Sequence, residues 1–292
     1  MEGSGFDLRV ATALVVTTVL WASAFAGIRV GLENYGPGQV ALSRFLVASA
    51  VLAGYATITR MRLPERRDLP AVFLAGFLAF TLYHVALNYG EVTVSAGAAS
   101  ILINTVPVFT ALLATVFLGE RLRVLGWVGM GVSFVGAALI SLGEGEGLSL
   151  NPRAFVILVA AISSSVYFVF QKPYLEKYGA LAFTTYAIWA GAILTIVFLP
   201  GLVSQARTAP LGTTLTMVYL GVFPTAIAYV TYAYVFSRMV ASRAVSFLYL
   251  IPVMAYLIAW AWLGELPTPL SVAGAVLILT GVLIVNARGR RR

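Results

Sequence analysis

The 292-residue chain contains no cysteine, one histidine and few charged residues. The lack of cysteine excludes disulfides, thiolate nucleophiles and thiolate-bound metals. Only 10% of the residues are charged and 60% are hydrophobic, whereas soluble domains carry roughly 25% charged residues. So much apolar surface indicates a protein embedded in a lipid bilayer. The formal charge of +8 would suggest nucleic acid in a soluble protein, but these basic residues stand in short loops, so we expect no nucleic-acid partner.

Ten apolar runs are long enough to cross a bilayer as helices. A hydrocarbon core of about 30 Å requires about 20 apolar residues in helical form, and the runs are too long for barrel strands of about 9–11 residues. The predicted fold is an all-α polytopic membrane protein with ten transmembrane helices. The ten spans are residues 10–31, 37–58, 70–90, 94–118, 123–142, 153–171, 181–200, 211–237, 241–263 and 269–287.

The loops divide the basic residues unequally. With a cytoplasmic N-terminus, 15 of the 19 Lys and Arg residues fall in cytoplasmic segments and 3 fall outside. One missed span would invert every later loop, so this split supports both the span count and the orientation. We expect a multi-pass inner-membrane protein with both termini in the cytoplasm and a basic cytoplasmic tail at residues 288–292.

The sequence also contains an internal repeat. The motif LENYG at 32–36 returns as LEKYG at 175–179, 143 residues later, and an offset of 145 pairs Pro107 with Pro252. The repeat unit contains five spans, so the second copy enters the membrane from the opposite side. Inverted repeats are typical of secondary transporters, which bind their substrate near the midplane. The predicted domains are a five-helix repeat at residues 9–143 and an inverted five-helix repeat at residues 152–287.

Several short motifs resemble the EamA-type repeat of the drug/metabolite transporter superfamily. They are Trp21-Ala22-Ser23-Ala24-Phe25, Arg44-Phe45 and Pro107 with Leu118-Gly119-Glu120, and then Pro252, Leu263-Gly264-Glu265, Gly274 and Gly281. The chain looks most similar to bacterial exporters of amino acids and related metabolites, including aromatic amino acids. The resemblance implies a basket of helices around a central cavity that opens alternately to each side. Spans 1, 3, 4, 6, 8 and 9 would line the cavity, and spans 5 and 10 would brace it.

The two halves differ at positions that matter for a site. Ser164 stands where the first half has Trp21, and Ala187 stands where it has Arg44. The substrate site is therefore expected to be asymmetric.

Ionisable side chains within a span are costly in lipid, so each is a candidate for function. Two qualify, Arg44 in span two and His84 in span three. Arg44 either extends outward or pairs with Glu33, or it binds a substrate carboxylate. His84 shares a helix face with Asn88 and Glu91. It could exchange a proton near neutral pH, or it could link neighbouring helices by a hydrogen bond.

Pro107 and Pro252 lie mid-helix at equivalent positions. Each removes a backbone hydrogen bond, which frees the carbonyls of Ile103 and Leu248. Paired interruptions indicate the site and moving parts of a transporter, so spans four and nine are expected to bend there as a gate. Ordinary packing kinks are the alternative interpretation.

Polar and aromatic side chains from six spans define the predicted substrate cavity. Polar groups avoid lipid and should face the cavity, although aromatic stripes at helical spacing also arise from packing between helices. The predicted substrate-binding residues are Trp21, Tyr83, His84, Asn88, Asn104, Tyr167, Gln171, Tyr229, Tyr232, Ser246 and Tyr249.

The content of this cavity narrows the substrate. It holds no deep carboxylate, which exporters of cationic drugs would require. Sugar-phosphate carriers would require several deep Lys or Arg residues, and this cavity has one, Arg44. An aromatic, hydroxyl-rich and nearly uncharged cavity suits a net-neutral amphipathic solute. The predicted function is export, secondary-active or facilitated, of small metabolites of this kind, amino acids with apolar side chains among them, by alternating access.

Two alternatives stay open. One is efflux of drugs or other metabolites, and the other, from a different class, is an integral-membrane enzyme that modifies lipids. Such enzymes carry Asp-rich, His-rich or Ser/His constellations, and a chain with one histidine and no cysteine offers no such set. We therefore expect no enzymatic activity, no cofactor and no metal. No Walker A motif is seen, so we expect no ATPase subunit. The expected partners are a small solute and the bilayer, and these features are compatible with a monomer.

The topology can be checked with reporter fusions. A C-terminal green fluorescent protein should fluoresce, and a C-terminal alkaline phosphatase, which requires the periplasm, should be inactive. A periplasmic C-terminus, or an experimental structure with nine or eleven spans, would show the predicted topology to be wrong.

Overall fold

The structure is a computed structural model that describes residues 8–106, 108–109, 113, 124–143, 151–238 and 250–288. Within these ranges the chain is helical, and none of these residues lies in a β-strand. The first half contains α1 (Leu8–Leu32), α2 (Pro37–Thr59), α3 (Leu69–Gly76), α4 (Tyr83–Glu91), α5 (Ala96–Ile103) and α6 (Val124–Gly143). The second contains α7 (Pro152–Phe170), α8 (Lys172–Tyr178), α9 (Ala180–Leu194), α10 (Leu199–Ala206), α11 (Leu211–Leu220), α12 (Ala228–Arg238), α13 (Ile251–Leu263) and α14 (Pro269–Arg288).

Several of these helices can cross a membrane by length and composition. Among the described residues, the continuous ones are Leu8–Leu32, Pro37–Thr59, Arg66–Glu91 and Leu211–Tyr232. Four shorter apolar helices lie in α6, α7, α13 and α14. The predicted class, an all-α polytopic membrane protein, is confirmed. The number of ten spans stays a prediction, because parts of spans four and nine lie outside the described residues.

Predicted span seven differs from the structure. It was expected at 181–200, but α9 ends at Leu194 and the chain continues through Ile196–Ala206 at an angle of 43°. The physical reason is Pro200, which stands in the first turn of α10. Proline cannot donate to the carbonyl four residues earlier and is tolerated where a helix begins. The predicted span therefore corresponds to a bent pair of helices that continues beyond residue 200.

Two π-helical segments interrupt spans three and eight, and the sequence patterns did not indicate them. They cover Phe77–Leu82 and Gly221–Ile227, which coincide when shifted by the repeat offset of 145. The second contains Pro224, which leaves the carbonyl of Leu220 without its usual donor. The hydroxyl of Thr225 donates to that carbonyl at 2.8 Å. Such segments are frequent at functional sites.

Helices α6 and α14 cross at very short range. A Cβ added to Gly136 would lie 2.6 Å from the carbonyl oxygen of Gly274, and one added to Gly274 would lie 2.6 Å from that of Gly136. A Cβ on Gly281 would lie 2.4 Å from the carbonyl oxygen of Gly129. Small residues allow helix backbones to approach closely in membranes, where packing rather than the hydrophobic effect drives helix association. These glycines therefore hold the two helices predicted to brace the cavity.

We call the end at which α1 begins the inner end and the end at which α1 ends the outer end. At the outer end, the LENYG motif contacts the second half of the chain. The hydroxyl of Tyr35 lies 2.7 Å from Thr214 Oγ1, and Gln205 Oε1 accepts from the amide of Gly36 at 3.0 Å. Thr213 donates to Asn34 Oδ1 at 2.9 Å. The first copy of the repeated motif thus joins the two halves.

The second copy, LEKYG, makes the corresponding connection at the inner end. Lys177 pairs with Asp68 and, at 2.9 Å, with Glu65, and Tyr178 donates to the Asp68 carboxylate. Hydrogen bonds from Lys177 hold the pKa of Asp68 and of Glu65 below their usual values, and the two carboxylates raise the pKa of Lys177. The motif recurs because each copy attaches its own half to the other.

The glycine crossing predicts a stability effect. Gly136→Ala should lower the thermal stability of the detergent-purified protein, since its methyl group collides with backbone that cannot move aside. Overpacking of this kind costs about 1–3 kcal/mol. The matched control is Gly131→Ala on the same helix, where an added Cβ meets no atom within 4 Å. The melting temperature is measured by size-exclusion chromatography after heating. Equal melting temperatures for the two variants would contradict the assigned crossing.

Candidate functional site

An aromatic cluster joins both halves of the chain between α1, α7 and the two π segments. We define it as Trp21, Phe80, Tyr83, His84, Tyr167, Tyr229 and Tyr232. The Trp21 ring lies 5.3 Å from that of Tyr229 and 4.8 Å from that of Tyr232. Phe80 links Tyr229, at 5.5 Å, to Tyr167, at 6.5 Å. All but Phe80 are predicted site residues, so the fold brings six of the eleven into one contact network.

The cluster combines buried and accessible rings. Phe80 and His84 are buried, whereas Trp21, Tyr83 and Tyr229 keep part of their surface exposed. Trp21 Nε1 donates to the carbonyl of Pro224 at 3.0 Å, which fixes the indole against the second π segment. The partly exposed residues of the cluster provide surface that a bound solute could contact.

Arg44 lies on α2 and is only 3% exposed. Its Nε donates to Thr225 Oγ1 at 2.8 Å, and its charge interacts with Tyr83, Tyr229 and Glu91. None of the ion pairs found among the described residues involves Arg44. The expectation that Arg44 extends outward or pairs with Glu33 is therefore wrong. The π segment draws the guanidinium inward, because Thr225 offers an acceptor there.

His84 is held by its own helix and by rings around it. Nδ1 lies 3.2 Å from the carbonyl oxygen of Phe80, so the neutral ring carries its proton on Nδ1 and leaves Nε2 as an acceptor. Its ring is stacked parallel to Phe80 at 5.9 Å and meets Phe45 edge-on at 4.9 Å. Its resolved hydrogen bond thus stays within the helix and does not reach a neighbouring one.

Asn88 and Glu91 continue the same polar face toward the outer end. Both are fully buried. Asn88 Nδ2 donates to the carbonyl of Pro37 at 2.9 Å. The other amide atom, Asn88 Oδ1, and both carboxylate oxygens of Glu91 have no hydrogen-bond partner among the described residues. Unpaired buried acceptors are uncommon in folded proteins, and each requires an explanation.

An ion pair closes the outer end above Glu91. Arg29 Nε donates to Glu265 Oε1 at 2.9 Å, and Arg29 Nη1 donates to the backbone carbonyl of Glu91 at 2.7 Å. Glu265 Oε2 accepts from the amide of Ala96 at the start of α5 at 2.9 Å, where the helix dipole favours a negative charge. Three helices, α1, α5 and α13, are thereby joined to the end of α4.

Two cavities lie on either side of this arrangement. The outer one, about 400 Å³, is lined by Arg29, Leu32, Glu33, Val92, Leu263 and Glu265. The inner one, about 580 Å³, is lined by Leu8, Arg9, Thr12, Ala13, Val16 and Thr231, between α1 and α12.

The remaining predicted residues are less clearly connected to the cluster. Asn104 is the C-cap residue that follows α5, and its Nδ2 donates to the carbonyl of Ser100 at 3.4 Å. Gln171 is the C-cap residue that follows α7. Pro252 stands in the first turn of α13. Pro107, Ser246 and Tyr249 lie outside the described residues. The proposed bends at the two prolines stay a prediction.

Several residues of this site were missed by sequence reasoning. Phe80 and Thr225 have no distinguishing sequence pattern, because the π segments bring them inward. Arg29 counts in the sequence analysis only as one of the basic residues outside the cytoplasm, and Glu265 only as part of the repeated motif. The duplicated Gly-Glu motif that includes Glu265 was the available signal. Among the described residues, no group of three or more His, Asp or Glu side chains could bind a metal ion.

The arrangement provides a cation, aromatic surface and unpaired acceptors along one path, as a solute-binding site would require. Comparison with known proteins identifies its class. Residues 8–142 and residues 152–287 each match the EamA-like transporter family.

Similar proteins agree with this match. The chain is 48% identical to an uncharacterized transporter, YdfC, of Bacillus subtilis, over 90% of this chain and 86% of that one. It is 44% identical to a "Probable terminal-alkyne amino-acid exporter" of Streptantibioticus cattleyicolor, over 96% and 95%. A crystal structure of a protein 20% identical to it has a similar fold, with a TM-score of 0.59 over 95% and 94%. The expectation of a transporter and not an enzyme is thus confirmed, and the chain belongs to the EamA-like transporter family of membrane proteins.

Proposed function

We propose that this transporter exports zwitterionic amino acids with apolar or aromatic side chains by alternating access. The observation that carries the proposal is the buried guanidinium of Arg44, which has no ion-pair partner among the described residues and lies beside the aromatic cluster. We further propose an inner-membrane location with both termini in the cytoplasm, and two inverted repeats of five spans.

The carboxylate of the solute would bind at Arg44. A buried charge without a counter-ion is unfavourable, and a carboxylate forms a charge-assisted hydrogen bond with a guanidinium. Thr225 holds Nε and so fixes the direction in which the rest of the guanidinium points. Specific binding of an anionic group therefore compensates the burial of Arg44.

The apolar side chain of the solute would contact the aromatic cluster. Trp21, Tyr83 and Tyr229 are partly exposed, and Nε2 of His84 can accept a hydrogen bond. The relative from Streptantibioticus cattleyicolor described as a "Probable terminal-alkyne amino-acid exporter", 44% identical to this chain, favours an amino acid as the solute. A phosphorylated sugar would need several basic groups, and the proposed site contains one, Arg44.

Alternating access would proceed along the path between the two cavities. The Arg29–Glu265 pair lines the outer cavity, and Arg29 also donates to the backbone carbonyl of Glu91. The inner cavity lies beside Thr231 on the helix that carries Tyr232. Export would then require this pair to open once solute has entered from the inner side.

The proposed function is tested with purified protein in proteoliposomes. A panel of radiolabelled amino acids should be taken up in counterflow, with phenylalanine and leucine preferred over glutamate and lysine. An imposed pH gradient separates coupled export, which concentrates the solute, from facilitated diffusion, which only equilibrates it. Transport of sugar phosphates or lipophilic cations in place of amino acids would contradict the proposal.

His84→Ala should lower the apparent affinity for phenylalanine about 5- to 150-fold. The reason is the loss of a buried hydrogen-bonding partner, which costs about 1–3 kcal/mol. The control is Leu74→Ala on the same span, since Leu74 is a large exposed side chain. Wild-type transport by His84→Ala across pH 5.5–8 would remove His84 from the site.

Glu265→Gln should favour the outward-open state. A partly exposed ion pair contributes up to about 1 kcal/mol, or roughly a factor of five in the equilibrium. Because the chain has no cysteine, a single Asn88→Cys thiol can report access from the outer side by its reaction rate with an impermeant maleimide. The rate should rise up to about fivefold in Glu265→Gln.

The matched control for this variant is Glu33→Gln. Glu33 lines the same outer cavity, is exposed, and forms none of the ion pairs found in the described part of the chain. An equal increase in both backgrounds, or none in either, would mean that the Arg29–Glu265 pair does not close the outer end.

A further inference from the structure

The polar face of α4 presents acceptors without donors. Asn88 and Glu91 are three residues apart, so their side chains lie on one side of the helix. Three buried oxygens, Asn88 Oδ1 and the two of the Glu91 carboxylate, have no hydrogen-bond partner among the described residues. The Asn88 amide cannot be turned to correct this, because its nitrogen donates to the carbonyl of Pro37 at 2.9 Å. The unpaired acceptors are therefore a property of the site.

The positive charges around Glu91 are directed elsewhere. Arg29 donates to Glu265 and to the backbone carbonyls of Glu91 and Val92, and not to the Glu91 carboxylate. Arg44 interacts with Glu91 electrostatically but donates its Nε to Thr225. A buried carboxylate in this position is costly unless a charged donor reaches it.

We propose that Asn88 and Glu91 form a binding site for the ammonium group of the exported solute. An ammonium group has three N–H donors and one positive charge, and the site offers three acceptor oxygens, two of which belong to a carboxyl group that can carry a negative charge. No group of this kind within the described residues fills it.

This inference rests on the proposed function, in that the same solute would reach from Glu91 to Arg44. The carboxylate end would lie toward Arg44 and the ammonium end toward the outer end of the molecule. A zwitterion would be oriented by the two opposite charges, and its side chain would be left to the aromatic cluster. The site would thus select primary amines over acids that lack the amine.

The test compares three ligands of the purified protein that share one aromatic ring. These are phenylalanine, phenylethylamine, which lacks the carboxylate, and 3-phenylpropionate, which lacks the amine. Binding is measured by the ligand-dependent rise in melting temperature. Glu91→Gln should weaken phenylalanine and phenylethylamine about tenfold or more, because a charge-assisted bond is lost, and should leave 3-phenylpropionate unchanged. Glu33→Gln, which removes an exposed acid at the outer end, should change none of the three.

A second variant covers the case in which Glu91→Gln does not fold. Glu91→Asp keeps the charge but shortens its reach, so it should weaken both amines and spare 3-phenylpropionate. Unchanged amine binding in either variant would overturn the proposal and leave Glu91 as a buried carboxyl group without a ligand.

Transport distinguishes an ammonium site from a proton site. If Glu91→Gln keeps counterflow of phenylalanine at the wild-type rate and loses only uptake driven by a pH gradient, Glu91 carries a proton and the proposal is wrong. If wild-type protein transports no amino acid, the proposed function fails, and binding of phenylethylamine alone then decides the ammonium site. Loss of phenylalanine counterflow together with weakened amine binding would support the proposal.

Discussion

The structure depends on the need to pair every backbone polar group in a medium without water. Regular helices meet that need within themselves, so each interruption has to be compensated. At the second π segment, Thr225 donates to the carbonyl that Pro224 leaves free, and Trp21 donates to the carbonyl of Pro224 itself. At the first, Ser163 of α7 donates to the carbonyl of Leu78 at 2.7 Å. Each interruption is thus bonded by a helix of the other half, and this draws polar side chains to the middle of the protein.

The same compensation separates the scaffold from the site. Helices α6 and α14 contact each other through glycines and leave no room for a solute between them. The helices around the π segments are instead held by side-chain hydrogen bonds and ring contacts. These leave aromatic residues partly exposed and, within the described part of the chain, oxygens without a hydrogen-bond partner. Close backbone packing provides rigidity at the periphery, and the interrupted helices provide binding groups at the centre.

Charge is distributed along one path through the molecule. The Arg29–Glu265 pair lies at the outer end, Glu91 lies next to it, and Arg44 interacts with Glu91 from α2. Arg44 and the Glu91 carboxyl group do not form an ion pair with each other, and two buried ionisable groups held apart in this way do not favour stability by themselves. Their arrangement is understandable if a ligand with both charges completes it, which is the reason why the two proposals made above concern the same solute.

The sequence by itself determined the class of the protein, the repeat and most helix ends. The apolar runs predicted α1, α2, α6, α7 and α14 to within two residues, because loops and charges are excluded from hydrocarbon and mark the ends directly. It also identified six of the seven residues of the aromatic cluster. Only the tertiary structure decided the partners. Sequence reasoning leaves Arg44 to extend outward, to pair with Glu33 or to bind a substrate carboxylate, whereas a π segment contributed by another span supplies Thr225 as its acceptor. Sequence reasoning places Glu91 on the helix face of His84 and Asn88. Its burial without a donor among the described residues follows from how α1, α2 and α4 meet. Such contacts join residues that are distant in the chain, so no local pattern of apolar and polar residues contains them.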